Sequence, residues 1–203
     1  RRAPDAGFAD TDLFPATRPQ MTLGEAAALP APGASTGLTV QAIAELIVTF
    51  EHAKTFGSLI QISPQRLPRL REQLSFLTGA QHTGDLYAQA AAQDLLPLVR
   101  QALVLGMQFD AVVANPPYMG NRGTNAELAG FLAQYYESGK SDLMTAFLLA
   151  AIPLLRPTGL LSVVTLDSWM FLSSYEDLRS VLLSNLDFES LAHLGWNTFP
   201  EGH

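Results

Sequence analysis

From residue 38 onward the apolar positions follow two different rhythms, and the change between them falls near Gly106. In the first stretch Ile43, Leu46, Ile47 and Phe50 recur at helical spacing behind Thr39, a suitable N-cap. Leu67, Leu70, Leu74 and Leu77 mark a second helix opening near Pro64 or Pro68, because proline is tolerated in a first turn. A third follows Thr83-Gly84-Asp85. It runs through Leu86, Tyr87 and Ala90 to about Leu105, with a bend or restart expected at Pro97. Residues 38–106 therefore read as a helical module.

Beyond Gly106 the apolar residues cluster into short continuous runs. FDAVVA (109–114) has the character of a strand in a parallel sheet covered on both faces. A polar, glycine-bearing loop, GNRGTNAELAG, comes next. A helix is expected over about 142–155 with Ser141 as its N-cap, stopped by RPTG at 156–159. GLLSVVTL reads as a second buried strand, and Ser173-x-x-Glu176 has the form of a capping box for a helix over about 174–184. LDFESLAHLG, after that helix, reads as a third, edge-like strand. This alternation is the βαβ grammar of a doubly wound α/β sheet. Residues 1–37, rich in Pro, Gly, Ala and Thr, read as an extended arm or linker. The expected organisation is thus an arm (1–37), a helical module (38–106) and an α/β segment (107–203).

Composition narrows the chemistry. Of 203 residues 48% are hydrophobic and 15% charged, which favours a packed core over disorder. Cysteine is absent, so there is no disulfide framework, thiolate nucleophile or cysteine-bound metal; this fits a reducing cytoplasm. His52, His82, His193 and His203 show no metal-ligand spacing, and no metal is expected. The longest apolar run, LMTAFLLAAIPLL, is too short to span a bilayer, so no membrane is expected either. A net charge of −7 argues against a whole-surface grip on nucleic acid, so any such contact would be local.

The candidate site lies where FDAVVA ends, at Asn115-Pro116-Pro117-Tyr118. In open α/β sheets ligands sit beyond the carboxyl ends of the strands. Two consecutive prolines fix two φ angles and hold the residue before each extended, which makes a stiff ledge. Its acceptors, the Asn115 side-chain oxygen and the Pro116 carbonyl, suit a planar group bearing an NH₂, with Tyr118 offering a flat face beside them. Such an amine is a poor nucleophile because its lone pair is delocalised. Two fixed acceptors position it without any titrating base. The plainer alternative is a turn, since Asn and Pro are turn formers. A given four-residue string, at about 5% per residue, arises by chance in roughly one chain of this length per thousand.

This string resembles the (N/D)PP(Y/F/W) motif of amino-group methyltransferases that use S-adenosylmethionine, especially those acting on the N6 amine of adenine in DNA. NPPYMG, with KSDLMTAFLLAAIPLLRPTGLLSVVTLDSWMFLSSYEDLR (140–179), is similar to the catalytic half of the PglX-type adenine methyltransferases of BREX phage-defence systems. MTLGE (21–25) and FEHAKTFGSLI (50–60) resemble the helical segment preceding that motif. The resemblance implies a partial Rossmann-like methyltransferase domain preceded by a helical module. Asn115, Pro116, Pro117 and Tyr118 would be catalytic, S-adenosylmethionine the methyl donor, and double-stranded DNA and defence-system proteins the partners. It also implies that Tyr118 stacks on a flipped-out base, with Phe199 in NTFPEG on its other face.

The family's glycine-rich cofactor loop and the acidic residue after its second strand find no match here. Asp85, Ser141 and Asp142 are the candidates for the cofactor side, each with a competing role as a helix cap. Asn121, Arg122, Asn125 and Lys140 could reach a phosphate or simply be solvated. The chain opens at Arg1 and stops at His203 just after WNTFPEG, which suggests a piece of a longer polypeptide that neither binds cofactor properly nor transfers methyl alone. Two alternatives stay open: methylation of a protein glutamine amide, which uses the same kind of ledge, and a non-catalytic, methyltransferase-like interaction module.

Overall fold

Thr39 turns the chain into its first helix: its backbone is extended and its Oγ1 accepts the Ala42 N–H at 3.2 Å. The computed structural model describes residues 38–120 and 123–195, which divide into two compact units meeting in sequence at Gln108 and Phe109. The first unit is helical. It holds α1 (Val40–Phe50), α2 (Ala53–Phe56), α3 (Leu67–Ala80) and α4 (Leu86–Gly106), with single 3-10 turns at Gly57–Leu59 and Pro64–Arg66. Asp85 caps α4, accepting the Tyr87 and Ala88 N–H groups at 2.9 and 3.4 Å. α4 runs without a break through Pro97.

Helical periodicity explains the packing of this unit. Ala92, Leu96, Val99 and Ala102 form one stripe of α4, and they bury against Leu70 and Leu77 of α3 and Leu46 of α1. A pairing of Arg66 with Glu45 at 3.3 Å ties the turn before α3 to α1. Gln73 lies in the same buried stripe of α3, only 2% exposed, and its Oε1 has no hydrogen-bond partner among the described residues.

The second unit opens with β1 (Phe109–Ala114), continues through α5 (Ala126–Tyr135) and α6 (Leu143–Ala151), and returns as β2 (Leu155–Val163), parallel to β1. α7 (Ser168–Phe171) and α8 (Glu176–Asn185) follow, with 3-10 turns at Glu137–Gly139, Ile152–Leu154 and Ser173–Tyr175. This βαβ arrangement after a helical module is compatible with a partial Rossmann-like methyltransferase fold. Eight of the nine residues of α6 are buried, as expected for a helix that is apolar all round.

Several local expectations are corrected. Asp142, not Ser141, is the N-cap of α6, and its side chain accepts the Met144 N–H at 2.9 Å. Ser173 and Glu176 make no capping box; Ser173–Tyr175 wind as a 3-10 turn, and no side chain caps α8. LDFESLAHLG is not a strand: its backbone joins no sheet among the described residues, and the Phe188 ring stacks on Trp169 at 6.3 Å. Finally, among the described residues β1 is not covered on both faces: Val113 is 80% exposed and Leu160 of β2 57%.

Among the described residues no helix is long and apolar enough to cross a membrane, and no group of three or more His, Cys, Asp or Glu could hold a metal ion.

Candidate functional site

The Asn-Pro-Pro-Tyr ledge is a four-residue bridge between two pinned points. On its strand side the Ala114 carbonyl accepts the Val164 N–H at 3.1 Å, carrying the parallel ladder one residue past β2. On its far side Met119 is held twice. Its carbonyl accepts the Leu143 N–H at 2.9 Å, and its N–H donates to Asp142 Oδ1 at 3.3 Å. Gly120 and Asp142 accordingly form an isolated antiparallel bridge. Between these anchors the two prolines leave little torsional freedom. The Pro116 ring is buried, whereas Asn115, Pro117 and Tyr118 face outward.

The Tyr118 hydroxyl donates to Asn115 Oδ1 at 3.1 Å, so the two polar ends of the ledge face one another. Tyr118 is 46% exposed, which leaves a ring face open to a planar ligand. The ledge itself carries no formal charge; Asp142, behind Met119, is the nearest acid bonded to it. Tyr175, 6% exposed, stands close enough to Asp142 to feel its charge. Burial pushes the Tyr175 phenol above its ordinary value, and the Asp142 carboxylate adds to the rise.

The structure brings some of the sequence-derived candidates together and separates the roles of others. Asn115 and Tyr118 are bonded to each other, Asp142 is bonded to Met119 at the end of the same segment, and Ser141, half-buried, directly precedes Asp142. Asp85 belongs to the helical unit and caps α4. Asn125 caps α5 by accepting the Leu128 N–H at 2.8 Å, and Lys140 pairs with Glu137 on the surface. Phe199, Asn121 and Arg122 lie outside the described residues. Met119, Val164 and Tyr175 were not anticipated. Their roles depend on partners distant in sequence, which local patterning does not register.

Among the described residues, the carboxylates proposed to face S-adenosylmethionine already accept backbone N–H groups. Asp85 and Asp142, its two carboxylate candidates, are both engaged in capping helices. An open groove of about 300 Å³ lined by Trp169, Met170, Arg179, Leu183, Phe188 and Leu191 includes no residue of the ledge. Its lone cation, Arg179, is spent on the Trp169 and Leu172 carbonyls at 2.8 and 2.7 Å.

Comparison with known proteins gives this geometry a lineage. Residues 44–199 match the family model described as Eco57I restriction-modification methylase. The chain is 43% identical over 155 residues to the adenine-specific methyltransferase BrxX of Escherichia coli O9:H4 (strain HS), covering 76% of this chain and 13% of that protein. It is 32% identical over 164 residues to the adenine-specific methyltransferase PglX of Lacticaseibacillus casei (strain Zhang), covering 78% and 13%. A third similarity, 34% over 87 residues, is to the type II methyltransferase M.BanIII of Aneurinibacillus aneurinilyticus, covering 42% and 15%. The chain thus spans about an eighth of the length of the two adenine-specific relatives. With an Asn-Pro-Pro-Tyr ledge at the carboxyl end of a parallel strand and a family match over most of its length, this chain belongs to the Eco57I restriction-modification methylase family.

Proposed function

We propose that this chain is the catalytic segment of a DNA adenine-N6 methyltransferase, with S-adenosylmethionine as methyl donor and double-stranded DNA as substrate. The observation that carries the reading is the ledge: an outward-facing Asn115 amide, a rigid Pro116-Pro117 pair and a half-open Tyr118 ring at a strand end. The similarity to two adenine-specific methyltransferases supports adenine as the base.

Inside a duplex the adenine amine is unreachable, so the base is flipped out and lies against Tyr118. Asn115 Oδ1 and the Pro116 carbonyl then accept the two N–H bonds of the amine. Asn serves where Asp would place a full negative charge against the base. Held this way, the nitrogen needs positioning and fixed dipoles rather than a general base. When bound, the cofactor supplies the electrophilic methyl group. Phe199, in a form like the family's later aromatic, would close over the other face of the base. In the full-length protein, methylation would mark self DNA in a BREX-type phage-defence system within the cytoplasm, alongside other defence proteins.

The test uses the full-length protein. Purified wild type, incubated with duplex DNA and cofactor, is expected to produce N6-methyladenine detectable by mass spectrometry of the digested DNA, and Asn115→Ala is expected to abolish it while melting at the wild-type temperature. Methylation of a glutamine-bearing protein in place of DNA would redirect the reading to an amide substrate. Unchanged DNA methylation by Asn115→Ala would remove the assigned site.

A further inference from the structure

We propose that Asp142 is a positioning residue for the ledge: by bonding the Met119 N–H it locks the Asn115 and Pro116 acceptors in the geometry that holds the amine. This rests on the function proposed above and assigns Asp142 a task other than lining the cofactor.

Three observations converge on it. Asp142 Oδ1 serves two masters, accepting the Met144 N–H at 2.9 Å as the cap of α6 and the Met119 N–H at 3.3 Å from the end of the ledge. The adjoining backbone bond from Leu143 N–H to the Met119 carbonyl, 2.9 Å, makes this a two-point attachment to the first turn of α6. α6 is the most thoroughly buried helix of its unit, so the attachment point is rigid. The same turn also holds the loop after β2, where the Leu166 N–H donates to Met144 Sδ at 3.1 Å. The start of α6 therefore fastens both loops that leave the carboxyl ends of the strands. Asn115 and Pro116 lie between the Ala114 anchor and the Met119 anchor, and two prolines transmit the position of one to the other. Removing the Asp142 bond leaves Met119 held by the Leu143 N–H alone and slackens that end of the ledge. Catalysis by positioning is sensitive to such slack, a displacement of about 1 Å costing on the order of a hundredfold in rate.

Capping and anchoring can be separated by substitution. Asn keeps an Oδ1 at the same reach and satisfies both roles. Ser caps helices well but is one bond shorter, so it restores the cap and leaves the Met119 N–H unbonded. Ala removes both.

The experiment measures, in the full-length protein, kcat, KM for duplex DNA, cofactor affinity by titration calorimetry, melting temperature, and amide exchange at Met119. Wild type and Asn115→Ala run beside D142A, D142S and D142N. The expected result for Ala is a kcat lower by about 10- to 100-fold, with KM and cofactor affinity unchanged. Ser restores the melting temperature but neither kcat nor slow exchange at Met119, while Asn restores all three. The proposal is overturned if D142A keeps the wild-type kcat, if Ser rescues kcat together with stability, or if the defect is confined to cofactor affinity. Failure of the underlying reading looks different: wild type leaves adenine unmodified, or Asn115→Ala stays active, and then both ideas fall.

Discussion

The Tyr118 hydroxyl donates to Asn115 Oδ1 at 3.1 Å, so the acceptor assigned to the substrate amine already takes one hydrogen bond from the side chain assigned to stack on the base. Asn115 Oδ1 keeps a second lone pair for an arriving adenine N–H, so the hydroxyl shares that acceptor without supplying the contact that holds the base. The hydroxyl is therefore dispensable, whereas the ring assists. Tyr118→Phe is expected to keep the wild-type kcat/KM. Tyr118→Ala loses the stacking contact, worth about 1–3 kcal/mol, or roughly 5- to 150-fold in kcat/KM. Steady-state methylation of duplex DNA by the full-length protein checks both. Equal losses in Phe and Ala would mean that the hydroxyl, not the ring, carries the function.

Gly159 sits where the β1–β2 pairing slips. Phe109 pairs with Leu155 and Ala111 with Leu160, so four residues of β2 oppose Asp110 alone. A Cβ on Gly159 would stand 2.8 Å from the Phe109 carbonyl, a backbone atom that cannot swing aside. Gly159→Ala should destabilise the protein by about 1–3 kcal/mol, the usual range for overpacking. The neighbouring Arg156–Asp110 pair, 2.7 Å but well exposed, makes a useful contrast. Arg156→Ala is expected to cost less than about 1 kcal/mol, because solvent screens such pairs. Urea unfolding of the two variants ranks them.

Burial, then the Asp142 carboxylate, raises the Tyr175 phenol above its ordinary value of 10.0. The sign of the pH effect follows from which state gives up its proton first. The unfolded phenol ionises near pH 10, while the folded one still holds its proton, so stability drops as pH climbs between the two values. Below the unfolded value Tyr175 adds no pH dependence. The difference in unfolding free energy between wild type and Tyr175→Phe should be flat from neutrality up to about pH 10 and shrink above it. A difference that already changes between pH 6 and 8 would contradict this origin.

Gln73 stands in an otherwise apolar stripe, with a buried Oε1 that meets no donor among the described residues. An unmet buried acceptor costs about 1–3 kcal/mol, and Met matches the length and flexibility of Gln without the polar atoms. Gln73→Met is expected to raise the denaturation midpoint by an amount equivalent to about 1 kcal/mol with the same urea slope. A lower midpoint would indicate that the amide has a role in the helical unit that its neighbours do not reveal.

Much of this protein could be read directly from its residues. Helical spacing, a threonine at 39 and an aspartate at 85 specify where α1 and α4 begin, because a cap and an apolar stripe act within one or two turns of chain. The four-residue ledge was legible for the same reason, being contiguous. Other features resisted. The apolar run of β1 reads alike whether one face is covered or two, so the exposure of Val113 is not written in it. Phe188 looked like a strand residue until Trp169 offered its ring a stacking partner 19 positions earlier, a choice made by packing.

The sequence by itself determined which groups could meet an amine: an amide, a proline carbonyl and a phenol, stiffened by two rings whose φ angles are covalently fixed. Tertiary structure alone decided how firmly they are held. Met119 and Asp142 lie 23 residues apart, and only the fold of the crossover that returns the start of α6 to the loop after β1 brings a carboxylate to that N–H. Local chemistry is written in neighbouring side chains, whereas leverage over a loop belongs to whatever buried element the chain happens to fold against it.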